Sequence, residues 1–153
     1  MRLVYMGLRI NHILMYETAL DIKREHEVKD ILETAWGMSL KKMPIVYHID
    51  YMGIRNQTAQ AWIEIKVRNI TMDQYPTIML SLAKFMHGVD LYRVTKAPFI
   101  FAVRTIDGIF YHTYDPMYQY VVEYGGRTTR TRDGMDIEPV VKIPTDWFRE
   151  LAC

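Results

Sequence analysis

Residues 45–68 read IVYHIDYMGIRNQTAQAWIEIKVR, and this stretch decides the fold class. From position 45 to 52 the side chains fall into two alternating sets, which predicts a strand. A second strand is predicted from 61 to 68, where apolar and polar or aromatic residues alternate again. The turn-forming residues 53–58 lie between the two runs, so we expect a β-hairpin.

The hairpin places three chemically suited side chains on one face. Glu64 and Lys66 are two residues apart and therefore project from the same side of the strand. A turn centred near Gln57 puts Asp50 opposite Glu64, with the two β-carbons only about 5 Å apart. Two carboxylates this close repel each other unless a proton or a cation lies between them. The sequence therefore predicts a site for Mg²⁺ or Mn²⁺, which prefer oxygen ligands.

Helical and strand patterns surround this hairpin. Residues 16–36 have apolar side chains at helical spacing, and Gly37 follows them. A second helix is expected to begin at Asp73, with Pro76 in its first turn, and to stop near Gly88. Strands are predicted over 99–104 and 109–114 around an Asp-Gly turn. The resulting order is α-β-β-α-β-β, typical of an α/β protein.

The C-terminal part carries weaker signals. Residues 118–124 fit no single pattern, and 125–134 read as a polar loop with three arginines. An edge strand is expected over 138–143, and Thr145 is a candidate cap for a terminal helix. We treat 16–114 as the core and 115–153 as an extension of one domain, since 153 residues suit a single hydrophobic core.

Composition excludes several protein classes. Half of the residues are hydrophobic and 24% are charged, as in ordinary globular proteins. The single cysteine, Cys153, permits no internal disulfide, and no apolar run is long enough to span a membrane. No secretory leader is recognisable, so we expect a cytoplasmic protein, in the host if it is phage-encoded. The net charge of +1 means that any basic surface must be local.

The pairing of Ile49-Asp50 with Glu64-Ile65-Lys66 resembles the PD-(D/E)XK motif of restriction-endonuclease-like nucleases. Ile49 stands where the motif has proline. The order of elements over 16–114 agrees with that family as well. The resemblance implies a restriction-endonuclease-like core, in which a central mixed β-sheet is flanked by helices. It also implies a small phage or resolvase-like nuclease that hydrolyses DNA with Mg²⁺ or Mn²⁺, and it allows a homodimer.

The resemblance assigns roles to individual residues. Asp50 and Glu64 would ligate the metal together with the backbone carbonyl of Ile65, and Lys66 would assist the attacking water. Glu25 on the first helix matches an extra acid found in several such nucleases, with Glu27 as the nearby alternative.

Further residues are candidates for nucleic-acid binding. Ser81 and Lys84, three apart on the second predicted helix, could reach a phosphate beside the metal site. Backbone phosphate contacts suit a set of arginines on the second strand and in the polar loop: Arg68, Arg127, Arg130 and Arg132.

Other interpretations compete with these. Asp50 and Glu64 could belong to a solvated strand face with ordinary ion pairs. His48 shares the face of Asp50 and is either a ligand or base or a structural hydrogen-bonding residue. The whole chain could be a catalytically inactive restriction-endonuclease-like module for DNA binding or assembly, or an unrelated α/β protein that binds a small ligand.

Overall fold

The computed structural model describes residues 19–126 and 137–152, and these contain two helices and two β-sheets. In chain order the elements are α1 (Ala19–Trp36), β1 (Ser39–Lys42), β2 (Tyr51–Arg55), β3 (Thr58–Val67), β4 (Thr77–Ser81), α2 (Leu82–Thr95), β5 (Phe99–Arg104), β6 (Ile109–Thr113), β7 (Val121–Gly126), β8 (Ile137–Pro144) and β9 (Arg149–Glu150). Short 3-10 turns occupy Ile45–Tyr47 and Thr145–Trp147.

The main sheet has six strands in the order β1-β2-β3-β5-β6-β9. The β3–β5 pair is parallel and the other pairs are antiparallel. The crossover from β3 to β5 contains β4 and α2, and β4 joins a smaller antiparallel sheet in the order β4-β8-β7. The expected α/β class with a central mixed sheet flanked by helices is therefore confirmed.

Strand β3 is buried on both faces. On one face Ala61, Ile63 and Ile65 pack in a cluster with Val28 and Leu32 of α1. The opposite face belongs to a second cluster, formed with residues of α2 and the small sheet and including Trp62, Phe99, Phe101, Ile78 and Val141. Two-sided burial is usual where crossover elements cover a sheet. Glu64 projects toward the second cluster and is buried for that reason.

The β2–β3 hairpin reaches its register by an indirect route. Asn56 and Gln57 both have positive φ, 51° and 62°, and form a two-residue turn between the paired Arg55 and Thr58. That turn alone would place residue 50 opposite 63. A bulge between Gly53 and Ile54 shifts the pairing by one residue, so Tyr51 lies opposite Ile63. Extending this register places Asp50 opposite Glu64, as the sequence predicts.

The strand predicted over 45–52 is wrong in its first half. Residues Ile45–Tyr47 form a 3-10 turn, and His48 follows with φ of 55°. Pro44 starts this turn, because its carbonyl accepts a hydrogen bond from the N–H of Tyr47. The alternation of side chains was misleading, since Ile45, Val46 and Tyr47 are all exposed. Asp50 immediately precedes β2 rather than lying within a long strand.

The second helix predicted from Asp73 is also wrong in its bounds. Residues Thr77–Ser81 form β4, in which Ile78 and Leu80 are buried at the two-residue spacing of a strand. The helix begins at Leu82 and runs to Thr95. Gly88 lies inside this helix rather than at its end. A glycine is required there because the ring of Phe99 packs so closely that a β-carbon would collide with it.

The C-terminal segment is integrated into both sheets. Strand β8 lies between β4 and β7, so the expected edge strand is central in the small sheet. Thr145 starts a 3-10 turn instead of a helix, and β9 then pairs with β6. The β5–β6 hairpin forms as predicted. Arg127, Arg130 and Arg132 lie outside the described residues. Among the residues described, no helix is long and apolar enough to cross a membrane.

Candidate active site

Local strand geometry brings Asp50, Glu64 and Lys66 together. Glu64 and Lys66 lie on the same face of β3, with Lys66 Nζ 3.1 Å from Glu64 Oε1. Asp50 is held next to them because its Oδ2 accepts a hydrogen bond of 2.9 Å from the backbone N–H of Ile65. The three residues of the sequence motif therefore form one cluster.

Glu64 is the most unusual group in this cluster. Its side chain is completely buried, and its Oε2 has no hydrogen-bond partner among the described residues. Its charge is balanced by ion pairs, with Lys84 Nζ 2.9 Å and Lys66 Nζ 3.1 Å from Oε1. Burial raises the pKa of Glu64, and the attraction of the two ammonium groups does not offset that effect.

Asp50 behaves in the opposite way. Burial alone would raise its pKa, but the ammonium groups of Lys84 and Lys66 and the Ile65 N–H outweigh burial, so the pKa lies below its ordinary value. Lys84 Nζ lies 3.4 Å from Asp50 Oδ1, and Lys42 Nζ lies 3.8 Å from the same oxygen. Burial lowers the pKa of Lys84, yet Glu64 and Asp50 raise it further, so Lys84 stays charged.

Lys84 and Lys42 reach this cluster from distant parts of the chain. Lys84 comes from the first turn of α2, where the sequence suggested a phosphate contact; here it contacts both carboxylates. Lys42 was not predicted. It ends β1 opposite Tyr51, the residue after Asp50, and this cross-strand position would have been the signal had β1 been recognised.

Within the described part of the chain, Glu25 forms ion pairs and hydrogen bonds with Lys42 and Tyr51 rather than with Asp50 or Glu64. Its Oε1 accepts hydrogen bonds from Lys42 Nζ at 2.6 Å and from the Tyr51 hydroxyl at 2.8 Å. Glu25 therefore approaches the site through Lys42. Glu27 is exposed and pairs with Arg104, Oε2 to Nη1 at 3.1 Å.

A cleft of about 1180 Å³ opens beside Lys66. Lys66, Ser81 and Arg68 line it, as do two arginines that sequence analysis did not single out, Arg24 and Arg104. The Ser81 hydroxyl donates to Glu138 Oε2 at 3.2 Å. A groove with several cationic side chains beside an acidic cluster has the charge pattern that a phosphate backbone requires.

His48 and His87 stack on each other near the cluster, with ring centroids 4.4 Å apart. His48 is exposed on the loop before Asp50. The stacking gives His48 a structural partner and leaves its catalytic role a prediction.

Comparison with known proteins identifies the family. A family model described as phage putative PDDEXK endonuclease matches residues 13–151. The chain belongs to this PDDEXK family. The match includes the segment after Asp115, which the sequence resemblance had left out.

A solved structure supports the fold of this PDDEXK protein. The Holliday junction resolvase of Archaeoglobus fulgidus superposes with a TM-score of 0.52 at 18% sequence identity, over 85% of this chain and 91% of the resolvase chain. At that identity the similarity is one of fold. No curated protein matches the sequence.

Asp50 and Glu64 together offer a donor set that suits a hard divalent cation. No group of three His, Cys, Asp or Glu side chains suited to a metal occurs within 19–126 and 137–152. Mg²⁺ is nevertheless commonly bound through one or two carboxylates, with waters in its remaining positions. Glu64 lies beside Asp50, and its buried Oε2 has no hydrogen-bond partner among the residues described, so a cation there would satisfy that oxygen. The side chains of Asp50 and Glu64 therefore fit a divalent cation such as Mg²⁺.

Proposed function

We propose that this PDDEXK protein is a metal-dependent nuclease that hydrolyses phosphodiester bonds in DNA at Asp50, Glu64 and Lys66. One observation carries the proposal: Glu64, a fully buried carboxylate, adjoins a second carboxylate and two lysines at the edge of a cleft with several cationic side chains. Burying a charge is costly even when it is paired, so such a group points to function.

Asp50 and Glu64 would hold Mg²⁺ or Mn²⁺, and the carbonyl of Ile65 is a further candidate ligand. A bound divalent cation supplies the Lewis acidity that activates water and neutralises charge on a phosphate. The hydrogen bond from the Ile65 N–H keeps Asp50 oriented toward β3. Its lowered pKa keeps Asp50 ionised at neutral pH, as a ligand must be.

Lys66 connects the carboxylates to the cleft. Its side chain is 31% exposed and lines the cleft, while its ammonium contacts Glu64. A cation in that position can orient the attacking water and stabilise negative charge that develops on the phosphate. Lys84 lies deeper and contacts both acids, so we assign it to balancing their charge and positioning them.

DNA would lie in the cleft. Arg68 and Ser81 line it as predicted binding residues, and Arg24 and Arg104 extend the cationic wall. Arg127, Arg130 and Arg132 stay predicted contacts. The net charge of only +1 means that binding should rest on this local surface rather than on the field of the whole protein.

A cleavage assay tests this function. Duplex and branched DNA would be incubated with Mg²⁺, Mn²⁺, Ca²⁺ or EDTA, and products followed on gels. We expect cleavage with Mg²⁺ or Mn²⁺ and little with Ca²⁺, whose looser coordination positions water less strictly.

Variants test the assigned residues in the same assay. Asp50→Ala and Lys66→Met should each lose at least about a hundredfold in cleavage rate. Asp90→Ala, which removes an exposed acid on α2, is the matched control. Normal cleavage by Asp50→Ala would show that Asp50 does not belong to the active site. If the protein binds DNA but cleaves it with none of the metals, it is a catalytically inactive DNA-binding module.

A further inference from the structure

A second, smaller pocket of about 360 Å³ lies at the β6 and β9 edge of the main sheet, next to the C-terminal half of α2. We call it the aromatic pocket. Its walls include Tyr92, Tyr114, Tyr118 and Trp147, and its charged groups are Asp115 and Arg149. A volume of this size lies at the small end of the range for ligand pockets. It suits one small planar group rather than a peptide or a duplex.

The wall of this pocket is held rigidly. His112 is buried and lies between two hydrogen-bonding partners, with Nδ1 3.2 Å from the Trp147 carbonyl and Nε2 2.7 Å from the Tyr120 hydroxyl. The carbonyl can only accept, so Nδ1 carries the proton and Nε2 accepts from Tyr120. The Tyr120 oxygen in turn accepts from the N–H of Asp115 at 3.1 Å. These bonds fix the pocket before any ligand arrives.

The rim of the pocket is open to solvent. Tyr118 is 43% exposed, and its ring packs 4.5 Å from that of Trp147, centroid to centroid. Arg149 is exposed and has no ion-pair partner among the described residues. An exposed tyrosine supported by a tryptophan, in a pocket that an arginine also lines, is a combination that can hold a stacked base and its phosphate, as in single-strand binding proteins.

The register of the main sheet links this pocket to the acidic cluster. Glu64 pairs with Phe101, and Phe101 pairs with His112, so the three residues form one row on the same face of the sheet. Adjacent strands lie about 4.8 Å apart, so Glu64 and His112 are separated by roughly 10 Å between backbones. All three side chains are buried, so this row runs through the core, and a DNA strand that joins the two sites would pass over the surface of the protein.

We propose that the aromatic pocket binds an unpaired nucleobase of the DNA substrate, with Arg149 on a neighbouring phosphate. The protein then selects DNA that has unpaired nucleotides. This inference rests on the proposed nuclease function and names the substrate class for the same site.

Binding measurements without metal test the pocket separately from cleavage. Fluorescence anisotropy in EDTA would compare a blunt duplex with the same duplex carrying a short unpaired tail. We expect tighter binding of the tailed DNA, and Tyr118→Ala and Arg149→Ala should each lose about ten- to hundredfold of affinity for it alone. Tyr118→Phe should retain the preference because the ring remains. Tyr124→Ala and Arg93→Ala, which alter an exposed tyrosine and an exposed arginine outside the pocket, are the matched controls. Thermal unfolding of each variant checks its fold.

The outcomes separate the two proposals. The proposal that the aromatic pocket binds a nucleobase is refuted if the unmodified protein binds both DNAs equally. It is also refuted if Tyr118→Ala and Arg149→Ala keep the preference for tailed DNA, even when Mg²⁺ supports cleavage. Conversely, a preference that is lost in those two variants supports the pocket, and a failure of Mg²⁺ and Mn²⁺ to support cleavage would then refute only the nuclease function.

Discussion

Lys84 Nζ lies 2.9 Å from Glu64 Oε1, so an ammonium group from α2 balances a buried carboxylate on β3. The same ammonium lies 3.4 Å from Asp50 Oδ1. In the proposed nuclease, a divalent cation at these oxygens would be repelled by this lysine. Lys84 therefore sets both the charge balance of the metal-free site and its affinity for metal.

Replacing Lys84 by Met should raise the affinity for Mn²⁺ by roughly tenfold, or about 1.4 kcal/mol, because it removes a positive charge next to the ligands. Titration calorimetry without DNA at about pH 8 measures this. Lys41→Met changes an exposed lysine on β1 and should leave the affinity unchanged. An equal or weaker affinity in Lys84→Met would show that Asp50 and Glu64 do not bind the metal.

Removing charge from the two acids should change stability in opposite directions. Folding disfavours the charged form of Glu64, whose pKa is raised by burial, and Asp50 still faces the Lys84 ammonium when Glu64 is neutral, so Glu64→Gln should increase the free energy of unfolding of the metal-free protein. Folding favours the charged form of Asp50, whose pKa is lowered, so Asp50→Asn should decrease it. We expect each change to be on the order of 1 kcal/mol. Urea unfolding at neutral pH measures both, and changes of the same sign would contradict the charge assignment.

Glu25 should act through Lys42 rather than on the metal. Lys42 Nζ is held by Glu25 at 2.6 Å and lies 4.9 Å from the ring centroid of Tyr51. Glu25→Gln and Lys42→Met should each reduce cleavage by roughly tenfold, and the double variant no further, since the two residues form one unit. Glu27→Gln and Lys41→Met are the matched controls. A loss of metal affinity in Glu25→Gln but not in Lys42→Met would instead make Glu25 a ligand.

His112 should make stability depend on pH in the weakly acidic range. Burial lowers its pKa, and protonation would place a second N–H against the Tyr120 hydroxyl that now donates to Nε2. The unfolded chain then takes up a proton near the ordinary histidine value of about 6.5 while the folded chain does not. The contribution of neutral His112 to the free energy of unfolding is therefore fully present above that pH and falls as the pH drops below it.

Unfolding free energies between about pH 7 and 5 test this effect. The stability advantage of the unmodified protein over His112→Gln should shrink as the pH falls. His26→Gln alters an exposed histidine on α1 and should give a constant difference. A difference that is also constant for His112→Gln would show that His112 does not resist protonation.

Local patterns in the sequence were sufficient for the motif strand. The period of two over 61–68 places Glu64 and Lys66 on one face whatever the rest of the chain does, because successive side chains of a strand point to opposite sides. The helix ending at Trp36 and the β5–β6 hairpin follow equally local rules. The PD-(D/E)XK resemblance needed only these elements and their order.

Tertiary structure decided the features that depend on distant partners. Residues 77–81 form a strand because β8, about sixty residues later, pairs with them. Lys84 and Lys42 join the acidic cluster because a crossover and an unpredicted strand carry them there, and the bulge in β2–β3 sets Asp50 opposite Glu64. Periodicity reports which side of its own element a residue faces. Which groups meet across elements depends on pairing and packing between remote segments, and so does the burial that raises the pKa of Glu64.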